Sequence, residues 1–494
     1  MSNRAYAYDL LHPQLVDILT FQRSKLSSAF GRVVNGHVAE PSIAWREMAD
    51  DWLVIRDLLG GTRGMRLAGT RYLPQFPKES PAEYAHRLET SFLIDMLDDT
   101  IDSMVAKPFA KAVSFRGQVP VWVEELNKNV DGKGTTIHEF AKGLLTDGIR
   151  WGKSHIAVDG IGLPTEIPDA PQVRDFEGAR PRMRVVPGPN ALFWRTEDGI
   201  TYEVRWYERE VDGMEIVESI HVWNEESLRT HQRRKPDGRV VEVPELARRN
   251  LAGKLSVVPY YTKKSGEFSA IPPLMDLAWI SVDHWQSYSD QRQILQTARV
   301  PMLFKKGFQE DELKKGPTVI GTRRVHSTTN KDADMRYIEP GGTAMNEGRE
   351  HLKMLVEAAK EKGSQPLHGL GPVTATGEFR ADSKATCDLQ AWCEALERAL
   401  RRGYELCASA VPSLEPLPES FEVCIHSEFD LRDRSGAEMT GLRADRARRD
   451  ISREAYLAEA KRRGLLPEDF DIAKDKIALA KEDAEGMGED DQGL

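Results

Sequence analysis

The stretch from Pro272 to Gly363 constrains the fold more than any other part of the sequence. Pro272 and Pro273 suit a helix start, where a missing backbone N–H costs nothing. The residues that follow at helical spacing are Leu274, Leu277, Ala278, Ser281, Trp285, Tyr288 and Leu295. The helix has to end before Pro301, because the residue preceding a proline is driven toward extended geometry. The pattern predicts a helix of about 28 residues, ~42 Å long.

A strand-rich insert and a returning helix are expected next. The apolar runs 302–304 and 318–320 are separated by glycine- and proline-containing turns, which is typical of strands. Thr343 can cap a second helix that Gly363 ends. Its apolar face is formed by Leu352, Leu355, Val356 and Ala359. The two helices are therefore predicted to lie antiparallel, as a projecting stalk with the insert at its end.

Composition excludes several classes of protein. The chain has 494 residues, 40% of them hydrophobic and 30% charged, which is typical of a soluble protein with two to four domains. It contains no apolar run of ~18 residues for a membrane span, and its polar N-terminus does not look like a signal peptide. The four cysteines lack C-x-x-C spacing, so we expect reduced packing residues.

The net charge of −10 argues against a general nucleic-acid coat, which needs basic residues to neutralise phosphates. It is compatible with a protein that lets DNA slide past, since tight phosphate binding would act as a brake.

Mixed helical and strand patterns fill the rest of the chain. Residues 1 to about 115 are predicted to be mainly helical, with one helix opened by Ser80, Pro81 and Glu83. A later helical pattern in this region includes Leu93 and Ile94. The other expected elements are a helix at 135–150, a strand at 155–159, an antiparallel β region at 160–262, a long helix at 381–411, a strand at 421–425, a short helix from Ser452 to Gly464 and an acidic tail from Gly486.

No enzymatic motif is complete. Gly152-Lys153-Ser154 lacks the glycine that a phosphate loop needs five positions earlier, where Asp147 stands. A helix also precedes it and a strand follows, so it predicts a turn. Gly132-Lys133-Gly134 fails similarly and predicts a loop, with Thr135 or Thr136 capping the next helix. The histidines form no metal or nucleophile motif, and paired acids such as Asp98-Asp99 are typical of solvated helix faces.

The order of these elements resembles that of the portal proteins of tailed bacteriophages and prophages. The likeness covers nearly the whole chain. Its specificity comes from the order of motifs, because each is structural rather than catalytic. The local segments that carry it are 70–74 with Tyr84 downstream, 155–159 after a glycine-lysine turn, 273–278 leading to Ser289-Asp290, 374–378 before the long helix, and 451–454 with 464–466. The tail is short for a large crown.

The resemblance implies an α+β, portal-like fold. Its expected parts are a mixed α/β wing at 1–271, stem helices at 272–299 and 343–363, a strand-rich clip at 300–342, a tunnel loop and long helix at 364–411, and a wing strand return with a helical crown and acidic tail at 412–494.

The resemblance also implies a non-enzymatic ring of twelve identical subunits, without cofactor or metal, at one capsid vertex of the virion. Assembly would take place in the host cytoplasm, with no membrane. The implied partners are the major capsid protein, the terminase large subunit that supplies ATP hydrolysis, the head–tail adaptor, and double-stranded DNA passing through the channel.

Two groups of residues are candidates for these contacts. The tunnel-loop candidates for DNA are Thr374, Thr376, Gly377, Glu378 and Arg380. The clip candidates for terminase or adaptor docking are Lys305, Lys306, Arg323 and Arg324. The clip carries eight basic and six acidic residues in an acidic chain, which also fits ordinary surface charge. No motif fixes a basic lining of the channel, which leaves the DNA contacts open.

Two other classes of function remain. A nucleic-acid-processing ATPase or nuclease would need an intact phosphate loop or an acid cluster. A capsid scaffold subunit would assemble into shells rather than rings.

Overall fold

The computed structural model describes residues 38–161, 179–213, 215–233, 240–298, 302–306, 330–338, 343–367, 387–411, 413–427, 443–448, 450–462, 470 and 473–477. Two units divide the chain, Met1–Ser427 and Glu428–Leu494.

The first unit combines helices with antiparallel strands, which confirms the predicted α+β class. Its helices are α1 Ile43–Leu59, α2 Gly61–Ala68, α3 Pro81–Thr90, α4 Met96–Ala106, α5 Val121–Leu126, α6 Ile137–Trp151, α7 Met275–Ala298, α8 Thr343–Ser364 and α9 Asp388–Ala410. Its strands are β1 Ser114–Arg116, β2 Lys153–Ile161, β3 Arg180–Pro187, β4 Ala191–Glu197, β5 Ile200–Asp212, β6 Glu215–Asn224, β7 Ser227–Arg233, β8 Val240–Glu242, β9 Arg248–Arg249, β10 Val257–Tyr261, β11 Lys264–Gly266, β12 Ser269–Ala270, β13 Met302–Lys306, β14 Asp334–Ile338 and β15 Glu422–Cys424.

The strands form two larger sheets and three two-stranded ones. One sheet has the order β4-β5-β6-β7-β8 with β9 also paired to β7, and the other has the order β10-β2-β3. The pairs β1-β15, β11-β12 and β13-β14 complete the set in the described residues. The β region predicted at 160–262 is therefore confirmed in the described part of that range, as is the strand predicted at 421–425.

Aromatic side chains fill the core between the two larger sheets. Trp206 and Trp223 meet edge to face with ring centroids 4.4 Å apart, and the buried cluster around them includes Ala157 of β2 and Phe268 of the β11–β12 turn. Helix α9 packs its buried face, which includes Leu396, against β2, β3 and β10. Buried aromatic and aliphatic area is the main favourable term for such a fold.

The predicted helix starts are confirmed at two capping boxes. Ser80 caps α3 with Pro81 in the first turn, and Thr136 caps α6. Gly152 follows α6 with a φ of 81°, and β2 starts at the next residue, so the Gly152-Lys153-Ser154 motif is the predicted turn.

Two predicted boundaries are wrong. Residues 91–95 form a loop rather than part of a helix, because the Leu93 amide donates to the Thr62 hydroxyl at 3.1 Å and α4 begins only at Met96. Helix α7 begins at Met275, since Pro273 drives Pro272 out of helical geometry. Helix α9 begins at Asp388, because Cys387 is extended with a ψ of 157°, and the start predicted at Ala381 lies outside the described residues.

The second unit contains helix α10, Arg453–Arg462. Ser452 accepts the Ala455 amide at 3.0 Å as its cap, which confirms the predicted start. The predicted acidic tail lies outside the described residues. The helices in the described parts of both units include none with the length and apolar character of a membrane span.

Candidate functional site

Helices α7 and α8 form an antiparallel pair, as the sequence predicts. At one end the Lys362 ammonium lies 3.2 Å from the Asp276 carboxylate. Toward the other end the Gln291 side-chain amide donates to the Met345 carbonyl at 2.9 Å. Gly348 lets the helices approach, because a Cβ there would lie 2.0 Å from the Gln291 side-chain oxygen.

Polar contacts anchor helix α7 to the segment 72–91. The hydroxyls of Ser289 and Ser91 are 3.0 Å apart, and the Gln286 amide donates to the Tyr72 carbonyl at 2.8 Å. Arg87 lies 3.9 Å from Asp290 of α7. These contacts fix the middle of α7 against the loop before α3 and the end of α3.

Arg87 is itself held by Glu79 and by aromatic rings. The guanidinium donates two hydrogen bonds to the Glu79 carboxylate, at 2.7 and 2.8 Å, and lies 4.2 Å from the Phe76 ring centroid. The hydrogen bond from Arg87 lowers the pKa of Glu79, and the same bond raises the pKa of Arg87. This charged pair stays ionised at neutral pH and positions Arg87 toward α7.

The helix pair leaves large apolar side chains in solvent. Trp279 of α7 is 52% exposed, Ile294 is 42% exposed and Met354 of α8 is 65% exposed. Single exposed apolar residues are normal on a monomer, so these three make the helix pair a candidate for a surface that another protein covers.

A two-stranded hairpin joins the outer ends of the helices. β13 and β14 pair antiparallel, with Phe304 opposite Arg336 and Lys306 opposite Asp334. Strand β13 matches the predicted run 302–304, whereas β14 carries charged residues and was missed. Phe304 is 40% exposed and Met335 is 38% exposed. An isolated two-stranded hairpin is marginally stable in water, so it gains from further contacts.

The two strands of the hairpin are basic, with Lys305, Lys306 and Arg336 against a single acidic residue, Asp334. Arg336 lies 3.5 Å from Asp334 and 5.9 Å from the Phe304 ring centroid. Lys306 is exposed, and the backbone of Lys305 pairs with Met335. Arg323 and Arg324 lie outside the described residues, so the grouping of the four clip candidates stays a prediction.

The tunnel-loop candidates also lie outside the described residues. They are Thr374, Thr376, Gly377, Glu378 and Arg380. The helix that follows them, α9, is firmly packed. The Trp392 backbone carbonyl accepts a hydrogen bond from the Tyr260 hydroxyl at 3.2 Å, and the Tyr404 hydroxyl donates to the Asn127 side-chain oxygen. The tunnel-loop candidates therefore precede a firmly packed helix in the sequence.

A polar cleft of about 900 Å³ lies between α6 and strands β3 and β5. No motif in the sequence predicted it. Two ion pairs lie within its lining, Arg184–Glu208 at 2.9 Å and Lys133–Glu210 at 2.7 Å. Burial acts to raise the pKa of Glu208, but the hydrogen bond to His221 and the charge of Arg184 outweigh it and lower the pKa to about 2. Burial raises the pKa of Asp147 to about 6.

Neither a metal-binding cluster nor a disulfide occurs among the described residues. The described residues contain no group of three or more histidine, cysteine or acidic side chains able to hold a metal ion. The four cysteines, all in described segments, form no disulfide, and Cys393 and Cys407 are buried. Burial raises the pKa of Cys393 to about 12, so its thiol is not a nucleophile at neutral pH.

Comparisons with known proteins give one sequence family. Residues 273–409 match a family described as a domain of unknown function (DUF4055), a span that contains α7, the hairpin, α8 and most of α9. A comparison with curated protein sequences finds no match.

Comparisons with solved structures give distant similarities to components of gene transfer agent (GTA) particles. A chain from the neck of an empty GTA particle is 11% identical, with a TM-score of 0.38, over 77% of this chain and 88% of that chain. A chain from the virion of a native GTA particle is 12% identical, with a TM-score of 0.39, over 81% and 98%. A chain from the neck of the native particle, computed with C12 symmetry, is 10% identical, with a TM-score of 0.38, over 79% and 95%. Similarities at this level transfer neither fold nor function to this chain.

Proposed function

We propose that this chain is a portal protein, a non-enzymatic structural subunit that assembles into a ring of twelve at one capsid vertex. The ring forms the channel through which double-stranded DNA enters and leaves. The terminase large subunit, the head–tail adaptor and the major capsid protein are its partners, and the terminase supplies ATP hydrolysis. Assembly takes place in the host cytoplasm, and the protein then resides in the virion without a cofactor.

The observation that carries this proposal is the α7–α8 pair, which is anchored in the wing and ends in a hairpin. Trp279, Ile294 and Met354 stay exposed on one subunit, and a closed cyclic ring offers each subunit two neighbours to cover them. The order of elements predicted from the sequence supports the same assignment: wing, outgoing helix, hairpin, returning helix and long helix.

Electron microscopy and native mass measurement of the purified protein test the proposal. We expect closed rings that all contain the same number of subunits. Only monomers at micromolar concentration would exclude the ring, and closed shells would favour a capsid scaffold subunit instead.

The clip is proposed to dock the terminase through its basic residues. We expect reversal of Lys305, Lys306, Arg323 and Arg324 to glutamate to weaken terminase binding about tenfold or more, because like charges then face the motor. Binding to immobilised terminase measures the effect, and ring formation should be intact. The matched control reverses four exposed cations outside the clip, Lys128, Lys142, Lys360 and Arg398. Equal binding by both variants would exclude the basic clip as the docking surface.

The link 369–377 is proposed to follow DNA during translocation. Three of its nine residues are glycine, at Gly369, Gly371 and Gly377, and glycine supplies left-handed backbone conformations that alanine rarely adopts. We expect the triple alanine variant to form rings and bind terminase normally but to package DNA several-fold more slowly. The reason is that alanine reduces the backbone freedom of the link. The control replaces three tail glycines, Gly486, Gly488 and Gly493. Packaging at the wild-type rate would mean that the link is a plain connection.

A further inference from the structure

A fully buried lysine, Lys153, is the first residue of β2. Lys153 has no exposed surface, and its Nζ lies 4.4 Å from the Trp194 ring centroid and 5.5 Å from the Trp52 ring centroid. Its amine donates to the Phe268 carbonyl. Within the described segments no acidic group forms an ion pair with it. A buried amine is costly to charge, so it is sensitive to any movement that admits water.

Phe268 closes the lysine site from the turn between β11 and β12. Its φ is 52°, in the left-handed region that a bulky residue rarely occupies. Its ring is 5% exposed and stacks on His155 and Trp194, with centroids 5.4 and 5.8 Å away. The stacked ring and the bond from Lys153 therefore hold a strained backbone in place.

The same turn leads directly into helix α7. The Ala270 amide contacts the Met48 sulfur at 3.2 Å, and the Ile271 amide donates to the Lys263 carbonyl at 3.1 Å. Four residues later, α7 begins at Met275. Movement of the Phe268 turn would therefore move the N-terminal end, or root, of α7. That α7 is a stem helix of the ring rests on the proposed function.

The groups that face Lys153 are almost all uncharged. Helix α1 presents Trp52, strand β4 presents Trp194, and the turn 188–190 packs Gly188 against the lysine stem. The titratable neighbour is His155, whose pKa is lowered to about 3 by burial and by the charge of Lys153, so it stays neutral above pH 5.

We propose that the Phe268 turn is a latch, closed over Lys153 and opened by proton uptake, which couples pH to the root of helix α7. Burial lowers the pKa of Lys153 from 10.5 to about 7 in the closed latch. An amine that reaches water in the open latch regains the ordinary value. The closed state therefore has its full stability above pH 10.5 and loses stability as the pH falls toward 7. Below pH 7 its stability relative to the open state is constant.

Hydrogen exchange of the assembled full-length protein, read by mass spectrometry on peptides covering 264–275, tests the latch. After correction for the intrinsic exchange rate, we expect the opening constant to fall about tenfold per pH unit from 7.5 to 9.5 and to be flat below 6.5. Lys153→Met keeps the length of the side chain and should remove the pH dependence. Lys263→Met, an exposed lysine of the same hairpin, should retain it.

Two results would overturn the latch: an opening constant in wild-type protein that does not vary with pH, or the same tenfold step in Lys153→Met. If Lys153→Met does not fold, Phe268→Gly provides the second variant, since it removes both the ring and the backbone strain. We expect the turn of this variant to exchange faster and without the pH step. Wild-type exchange in Phe268→Gly would also overturn the proposal. Electron microscopy shows whether rings form, independently of the exchange measurement. Failure of the latch proposal can therefore be told apart from failure of the ring proposal.

Discussion

Replacing Trp279 and Met354 together with glutamate is expected to abolish ring assembly while leaving the subunit folded. Both side chains are mostly in solvent, at 52% and 65% exposure, so they contribute little to the fold of one subunit. Glutamate is also a good helix former, and α7 and α8 should persist. The apolar area of these two residues would instead become buried between neighbours in a ring.

The size of the effect follows from the buried area. Burial of a large apolar side chain contributes about 1.5–3 kcal/mol, so losing two costs about 3–6 kcal/mol at each subunit contact. That lowers the association constant of one contact by more than about a hundredfold. Burying an unpaired carboxylate adds to the penalty. A closed ring, in which every contact is weakened, then gives way to monomers at micromolar concentration.

The matched control adds the same two charges to the same helices at exposed polar positions, Gln296→Glu and Asn346→Glu. We expect rings from the control and monomers from the Trp279 and Met354 variant, by native mass spectrometry. Circular dichroism checks that both variants keep their helices. Rings from both variants would show that this apolar surface is not the subunit interface.

The fold was predictable wherever a signal was local. Ser80, Pro81 and Glu83 stand together in sequence, so the capping box that opens α3 could be identified from their order. The alternating apolar residues of β5 and β6 likewise specify neighbouring antiparallel strands. Helical periodicity failed at 91–95, where Phe92 and Ile94 are exposed and Leu93 is buried, which is a strand-like alternation. The Thr62 hydroxyl that takes the Leu93 amide is 31 positions away and gives no local signal.

The candidate site was less predictable because it depends on distant pairs. Strand β14 contains Asp334 and Arg336, which do not favour a strand by themselves, and it forms because β13 pairs with it. The exposed position of Met354 follows from how α8 packs on α7, which spacing alone does not specify. The aromatic enclosure of Lys153 joins residues from α1, β2, β4 and the β11–β12 turn, and the sequence indicated only a turn there.

Replacing Gly152 with alanine is expected to cause the largest loss of stability of any glycine-to-alanine change near the root of α7. The residue has a φ of 81°, which costs an L-residue about 1–2 kcal/mol. A Cβ at this position would also lie 2.5 Å from the carbonyl oxygen of Ile271, which is backbone and cannot rotate away. Separating the start of β2 from the segment before α7 adds about 1–3 kcal/mol, so the expected loss is about 2–5 kcal/mol.

Gly61→Ala separates the two causes of this loss. Gly61 has a φ of 62°, but a Cβ there would meet no atom within 4 Å, so only the backbone cost of about 1–2 kcal/mol applies. Urea unfolding monitored by tryptophan fluorescence compares the two variants, because Trp52 and Trp151 are buried close to the altered turn, with the Trp52 indole donating to the Trp151 carbonyl at 2.9 Å. We expect the unfolding midpoint to fall much further for Gly152→Ala than for Gly61→Ala. Equal shifts would mean that α6, β2 and the root of α7 can separate without cost, and that the close contact between Gly152 and Ile271 does not fix the stem helix.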